Sequence, residues 1–383
     1  MRIGIVGGGY AGIIASLLIK KKNPSWDVSL FEGSDKLGKK LSMTGSGRCN
    51  LGNKIVDEHS YNRKEAYDVY QNCPLDKQIA ILKEFGILTT EFGRYVFPNS
   101  LSAKSYLGNL VSVMEKLGVR IRLDHKLTEY HHSPDFVSLF FANGMTYQVD
   151  RVVFACGGAS FAKTGSDGSI FPILRDHKYS IGKIKPGLNG ILTREETKSV
   201  QNERLRCKVI LKDDGKIYYE EEGEIIFKAD GINGICAMDA QSVIARHSLK
   251  NPTLSFDILP QFSFDEIVSY VENNQQLVES DFLKGLFSTQ ISNYIKKRLK
   301  KFDAKTIAHL LKSFDFSYKG DRPLDEAICI VGGVGMENLD GLQSLIEKKV
   351  YFAGEMLDFD GMCGGYSLML AFAGAFKVAN DIC

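Results

Sequence analysis

The 383-residue chain is 44% apolar and 25% charged with a formal net charge of +2, the profile of a soluble globular protein long enough for two or three domains. That near-neutral balance gives no case for nucleic acid or an acidic membrane surface as a partner. The eight cysteines include no Cys-x-x-Cys pair, which argues against a zinc ribbon or a dithiol redox centre; no metal is expected, and the scattered thiols fit a reducing cytoplasm.

The N-terminus reads Met1-Arg2-Ile3-Gly4-Ile5-Val6-Gly7-Gly8-Gly9-Tyr10-Ala11-Gly12, and Glu32 closes a second apolar run, Val28-Ser29-Leu30-Phe31. This order predicts a strand, a Gly-x-Gly-x-x-Gly turn, a helix through Ile13–Lys22, a strand and an acid. Gly7 makes the tight turn, Gly9 lets backbone N–H groups approach a diphosphate, and Gly12 lets the helix pack close on the strand. The diphosphate rests on the positive end of the helix, and Glu32 can accept from both hydroxyls of an adenosine ribose. The first basic cluster, Lys20–Lys22, follows the apolar run rather than preceding it, unlike a secretory signal. The uncharged stretches Ile3–Ile19 and Gly361–Phe376 are too short and glycine-rich for membrane spans and read as buried elements.

Leu37–Asn50 holds too many glycines and small residues for a regular element. Helices are expected over Pro74–Phe85 and Ala103–Leu117, and strands over Val119–Leu123, Leu127–Tyr130, Val137–Phe141 and Thr146–Val149, with Asn143-Gly144 as a hairpin turn. Arg151–Ala155 reads as a buried strand running into Cys156-Gly157-Gly158. From about Pro186 short β-like segments follow (Ile191–Leu192, Arg206–Leu211, Ile217–Tyr219, Glu224–Lys228, Thr253–Asp257), suggesting a barrel-like insertion. Phe264–Phe314 reads as mostly helical, with an amphipathic stripe of Leu283, Leu286, Phe287, Ile291, Tyr294 and Leu299. The basic run Lys296-Lys297-Arg298 with Lys300 and Lys301 reads as a solvated face rather than a polyanion site.

Near the C-terminus a strand ends in Gly354-Glu355, a loop follows, and Gly364-Gly365-Tyr366-Ser367 opens an apolar helix through Ala379. This repeats the N-terminal logic of backbone N–H groups and a helix dipole aimed at something electron-rich. A nicotinamide dinucleotide leaves that passage unexplained. FAD is longer, and its ribityl chain and ring need further holders. Glu355 can accept from a ribityl hydroxyl, and the N–H groups of Gly365, Tyr366 and Ser367 can stabilise negative charge on reduced flavin.

On these residues the chain resembles the FAD-binding flavoproteins typified by aminoacetone oxidase, the bile-acid-inducible flavin reductase and the YhiN-type proteins. The resemblance spans almost the whole chain. It is carried by Gly7–Gly12, Gly38–Leu41, Thr44-Gly45-Ser46-Gly47-Arg48-Cys49-Asn50, Val96-Phe97-Pro98, Cys156–Ser160 with Thr164-Gly165-Ser166, Gly332-Gly333-Val334 and Phe352–Glu355 with Asp358 and Gly364–Tyr366. It implies an α/β fold of the two-dinucleotide-binding-domain flavoprotein type: a Rossmann-like FAD-binding domain with an inserted β-barrel-like domain and a small helical domain. The expected division is 1–185 and 322–383 for the FAD domain, 186–262 for the β-rich insertion and 263–321 for the helical part. By resemblance Arg48, Cys49 and Asn50 approach the flavin or its ribityl chain, Lys39 and Lys40 neutralise the diphosphate or bracket the adenosine, and Leu127 offers backbone to the adenine. The remaining cofactor candidates are Tyr10, Ala11, Gly33, Leu41, Thr44, Gly47, Ala155, Gly157, Gly158, Gly354 and Gly364.

The chain departs from the family at Lys228-Ala229, where Thr-His is usual, at Ser367 in place of Asn, and at Cys363 in place of Thr. Gly332–Gly335 lacks a following helix and acid, so no separate nicotinamide domain is expected. The leading expectation is an FAD-dependent oxidoreductase for a small or hydrophobic molecule, with NAD(P)H as a transient reductant or the substrate itself as hydride donor. Its substrate would sit between the flavin and the inserted domain, with Lys228, Cys49 and Tyr366 as candidates for proton transfer. Two alternatives are a flavin enzyme acting on nucleic acid and a flavin-binding sensor without turnover.

Overall fold

The computed structural model describes residues 1–274 and 283–382. The chain divides into two units, Met1–Lys185 with Leu324–Cys383, and Pro186–Pro323.

The first unit is built on a seven-stranded sheet. Strand β1 (Arg2–Val6) lies near its middle, flanked by Arg151–Phe154 on one side and β2 (Asp27–Phe31) on the other. Val350–Phe352 pairs outside Arg151–Phe154, and Arg120–Arg122 outside β2, all parallel. Two short antiparallel strands, Leu339–Asp340 and Gln343–Ser344, finish one edge. Ile3–Val6 are buried without alternation, as a parallel strand covered on both faces demands. Helix α1 (Tyr10–Lys22) is buried almost all round because the C-terminal helix, Tyr366–Asp381, packs along it, with Tyr10 and Phe372 rings 6.3 Å apart. Its apolar sequence is therefore that of a sandwiched helix rather than an amphipathic surface one.

A second, antiparallel sheet of Leu127–His132, Val137–Phe141 and Thr146–Val149 turns at Asn143-Gly144, as its hairpin signal predicts. A small sheet of Gly52–Asn53, Tyr95–Pro98 and Thr89–Phe92, and a helix over Lys64–Asn72, have no clear periodic signature. Leu41–Gly47 forms tight 3₁₀ turns broken at Thr44, Gly45 and Ser46, in keeping with a segment that no regular element could hold. At the sheet's edge Glu347 is enclosed by Tyr130, Tyr179 and His177, which reach its carboxylate at 2.6, 3.1 and 2.8 Å.

The second unit contains a closed six-stranded antiparallel barrel, in the order Ile191–Thr193, Gly231–Asn233, Lys216–Lys228, Arg204–Asp213, Thr253–Asp257 and Phe314–Asp321. The helices Phe264–Asn273, Thr289–Arg298 and Ala304–Lys312 bury Ile267, Val271, Ile291, Tyr294 and Ile307 in the same apolar cluster as barrel residues Val209, Phe227 and Phe256. The expected continuous stripe from Leu283 to Leu299 is interrupted. Ser288 accepts from the Ile291 N–H and starts a fresh helix, leaving Leu283 and Leu286 in the turn before it and Leu299 as its C-cap. Residues 275–282 of the expected helical stretch lie outside the described residues. The helical texture also stops earlier than expected, because Phe314 and Phe316 alternate inward on the last barrel strand.

Among the described residues no helix is long and apolar enough to cross a membrane.

Candidate functional site

The β1–α1 turn is shaped by what its glycines leave empty. Gly7 has φ +110, and a Cβ there would lie 2.2 Å from the Ala155 carbonyl oxygen. A Cβ at Gly12 would lie 1.9 Å from the Gly7 oxygen, so helix and turn touch through backbone. Gly9 is different: it is the N-cap of α1, in extended conformation, and a Cβ there meets nothing within 4 Å. The helix has no side-chain cap and no acidic residue in its first turn, so its N-terminal N–H groups face open space beside Gly9. That is the geometry of an anion seat.

Glu32 lies at the end of β2. Its Oε2 accepts from the Gly8 N–H (2.8 Å), and its Oε1 from the N–H and Oγ of Ser34 (2.8 and 2.7 Å). Three acceptances leave one of the carboxylate's four lone-pair sites, so in this arrangement Glu32 has room for one ribose hydroxyl rather than both. Glu32 borders a cavity of about 270 Å³ that also touches Gly7, Gly33, Lys39, Leu127, Cys156 and Gly165. Lys126 and Asp167, also on its wall, pair at 2.7 Å. Gly33, Lys39 and Leu127 are among the residues expected to bind the cofactor, whereas Ser34, Lys126 and Asp167 carry no sequence signal beyond their places beside Gly33, Leu127 and Gly168. The Cys156 thiol is pushed up to about 12 by burial and stays neutral.

The two lysines expected to neutralise the diphosphate or bracket the adenosine turn to different partners. Lys39 pairs with Asp35 at 2.7 Å and faces the cavity. Lys40 turns to Glu355, with Nζ 2.5 Å from Oε2 and 2.7 Å from Ser160 Oγ. Leu41 is buried in the core, and Thr44 Oγ1 donates to the Leu41 carbonyl. Gly45, Ser46 and Gly47 follow with positive φ, and Cys49 has φ +63. Gly47 opens onto empty space, whereas the Gly45 position lies 2.8 Å from the Asn50 nitrogen. Asn50 Oδ1 is buried without a hydrogen-bond partner. A buried orphan acceptor needs a donor from elsewhere.

At the C-terminal passage, Gly354 (φ +80) packs with its Cβ position 2.8 Å from Ala11 Cβ in the first turn of α1. Gly364 and Gly365 have φ +121 and +103, and a Cβ on Gly365 would meet the Gly52 backbone at 2.8 Å. The helix Tyr366–Asp381 thus starts from a glycine cap backed by Gly52, with no side-chain cap and no acid in its first turn, which includes Ser367. Gly158 leaves room for Glu355, whose Oε1 would lie 2.8 Å from a Cβ there; Gly157 has φ +74, and the Ala155 N–H donates to the Val6 carbonyl.

The proton-transfer candidates fare unevenly. Cys49 is fully buried and its thiol is pushed up to about 11 by desolvation, so it is a neutral thiol at ordinary pH. The Tyr366 hydroxyl donates to the Ile55 carbonyl at 2.7 Å while its ring meets Tyr61 edge-on, a packing arrangement. Lys228 belongs to the second unit, at the end of a barrel strand, and its carbonyl accepts from Thr197 Oγ1.

Together the cavity at Glu32, the open N-terminus at Gly9, the orphaned Asn50 Oδ1 and the helix start at Gly365, which has no side-chain cap, fit an extended ligand with an adenosine end, a diphosphate and a polar flat ring, as in FAD. The chain is similar to known proteins along almost its whole length. The family model described as "HI0933-like protein Rossmann domain" matches residues 1–381. The 3-dehydro-bile acid delta(4,6)-reductase of Clostridium scindens is 27% identical over 395 residues, covering 97% of this chain and 96% of the relative. The ribosomal RNA dihydrouridine synthase of Escherichia coli is 24% identical over 400 residues, covering 99% and 97%, and that of Haemophilus influenzae is 22% identical over 405 residues, covering 99% and 97%. Among solved structures, 3-ketosteroid delta1-dehydrogenase from Sterolibacterium denitrificans superposes with a TM-score of 0.51 over 99% of each chain at 11% identity, a likeness of fold. Two of these relatives are named for an RNA substrate, so a near-neutral net charge does not exclude nucleic acid.

Proposed function

The chain belongs to the HI0933-like family and is an FAD-dependent oxidoreductase, and from that premise we propose that it reduces a carbon–carbon double bond conjugated to a carbonyl group in a small hydrophobic molecule. One observation carries this reading: the relatives aligned along their whole length are named for such reductions. A 3-keto delta(4,6) system and the C5–C6 bond of uracil beside its C4 carbonyl are the same electrophile in different frames. The bile-acid relative has the higher identity, which favours the small hydrophobic substrate over RNA. No disulfide joins the described cysteines, in keeping with a reducing compartment.

Bound FAD supplies the hydride acceptor and donor that protein side chains lack. In this reading the chain's own residues bind, orient and shield it. The α1 N-terminus, with Gly7, Gly9, Tyr10, Ala11 and Gly12, seats the diphosphate. Glu32, Gly33, Lys39 and Leu127 hold the adenosine. The loop through Thr44, Gly47, Arg48, Cys49 and Asn50 supplies backbone and one amide to the ring, and the N-terminus at Gly364–Ser367 offers N–H groups where negative charge gathers. A neutral Cys49 contributes shape rather than a charge there.

The test is spectroscopic. Purified protein, reconstituted with FAD, is bleached anaerobically with NADH or NADPH and then mixed with a 4-en-3-one, its saturated ketone, or a uridine-containing RNA. Return of the flavin absorbance with the enone alone supports the proposal. Return with RNA alone would favour the nucleic-acid reading, and re-oxidation by O₂ only would remove both.

A further inference from the structure

Glu355 is the carboxylate expected to meet the ribityl chain, yet it is already largely engaged. Its Oε1 accepts from Ser160 Oγ (2.8 Å) and from the Ile330 N–H (3.2 Å), and its Oε2 accepts from Lys40 Nζ (2.5 Å). Ser160 is fully buried and is itself bonded by Lys40 at 2.7 Å, which closes a three-membered ring of ammonium, hydroxyl and carboxylate. Lys40 and Glu355 are only 25% and 21% exposed, so neither charge is fully solvated. By count, Glu355 keeps one lone pair on Oε2, and Lys40 keeps one of its three N–H bonds. One acceptor and one donor side by side match a hydroxyl, which both donates and accepts.

The ring also has an electrostatic task. Gly354 touches Ala11 in the first turn of α1, so Glu355 follows directly on the residue that abuts the anion seat. A lone carboxylate there would repel a diphosphate.

We propose that Lys40 is a positioning residue that neutralises Glu355 and completes with it a neutral donor–acceptor pair for the polyol chain of the cofactor, rather than a ligand of the diphosphate. The inference rests on the FAD reading above. It predicts that Lys40 matters because Glu355 is charged.

The experiment is a double-variant cycle read as FAD affinity. Apoproteins of the native sequence, Lys40→Met, Glu355→Gln and the pair are titrated with FAD by quenching of flavin fluorescence, with thermal unfolding of each apoprotein as a check of folding. Lys40→Met should weaken FAD binding about tenfold or more, less than a fully buried ion pair loses when one partner is removed because this pair is partly exposed. In the Glu355→Gln background the same change should cost no more than about threefold, since the pair is no longer coupled. An equal loss in both backgrounds would assign Lys40 to the diphosphate and overturn the proposal, as would no loss in either. If Lys40→Met alone does not fold, the comparison of Glu355→Gln with the pair still decides, a loss of tenfold or more counting against. A native protein that takes up no FAD at all would instead defeat the cofactor reading itself.

Discussion

Gly9→Val separates the cofactor seat from the scaffold that carries it. A side chain at position 9 meets nothing of the protein within 4 Å, and the backbone there is extended (φ −76, ψ −177), which valine adopts without strain. Two small terms act on the apoprotein. Replacing glycine removes chain freedom from the unfolded state, worth about 0.4–1 kcal/mol in favour, and losing glycine as N-cap costs about as much. They offset, so apoprotein stability should stay within about 1 kcal/mol, a shift of only a few degrees in Tm for a unit of this size. The ligand fares otherwise. Isopropyl bulk at the helix mouth removes two or so charge-assisted hydrogen bonds from N–H groups to the diphosphate, each worth about 1.5–3 kcal/mol, so FAD affinity should fall by about 10²–10⁴-fold. Thermal unfolding of apoprotein and fluorescence titration with FAD measure the two halves. Retention of FAD within a few-fold of native would refute the seat, and an unfolded apoprotein would refute the claim that position 9 faces open space.

Three further outcomes are expected. Gly12→Ala should behave in the opposite sense to Gly9→Val: its methyl would lie 1.9 Å from the Gly7 oxygen, so the apoprotein itself should lose about 3 kcal/mol or more, seen as a lower urea midpoint without FAD present. Glu32→Gln keeps the shape but halves the acceptor oxygens that hold Gly8 and Ser34, and FAD affinity should drop about tenfold while AMP, offered as a competitor, loses affinity in parallel. Stability should also fall at alkaline pH. Burial holds the Cys49 thiol up to about 11 and the Cys73 thiol up to about 12, so each keeps its proton in the folded state after the unfolded chain has lost it. Their contribution is fully present below the unfolded thiol value near 8.5 and declines above it, by up to about 1.4 kcal/mol per pH unit for each thiol until the folded value is reached. Urea midpoints at pH 8 and pH 10 measure the slope, and an unchanged slope in Cys49→Ala, Cys73→Ala protein would defeat the assignment.

The parts of this molecule legible in the sequence are those set by neighbours along the chain. Gly7, Gly9, Gly12 and Glu32 announce their turn because strand, glycine spacing, helix and acid lie within one βαβ unit. The helix at Ala103–Leu117 was readable to the residue, since Ser102 caps it and Gly118 ends it in left-handed conformation. What the sequence hides is set by distant partners. Nothing near Lys40 says that its ammonium faces Glu355, 315 residues away in the chain. The stripe from Leu283 to Leu299 does face the core but not on one helix, because apolar spacing persists across Ser288, where a capping hydroxyl restarts the helix.

The insertion of Pro186–Pro323 has a consequence for the order in which the protein can be made. Strand Val350–Phe352 fills the sheet beside Arg151–Phe154, and the helix Tyr366–Asp381 covers α1, yet both leave the ribosome after the whole second unit. At about 5–20 residues per second the N-terminal half waits on the order of ten seconds or longer with the apolar flank of α1 uncovered and one sheet edge unpaired. The barrel unit has no such debt to later sequence, because its six strands close within one continuous stretch. Released chains truncated after residue 323 should therefore carry a protease-resistant barrel and a protease-sensitive nucleotide half, and the last sixty residues act as the keystone that lets the first half settle.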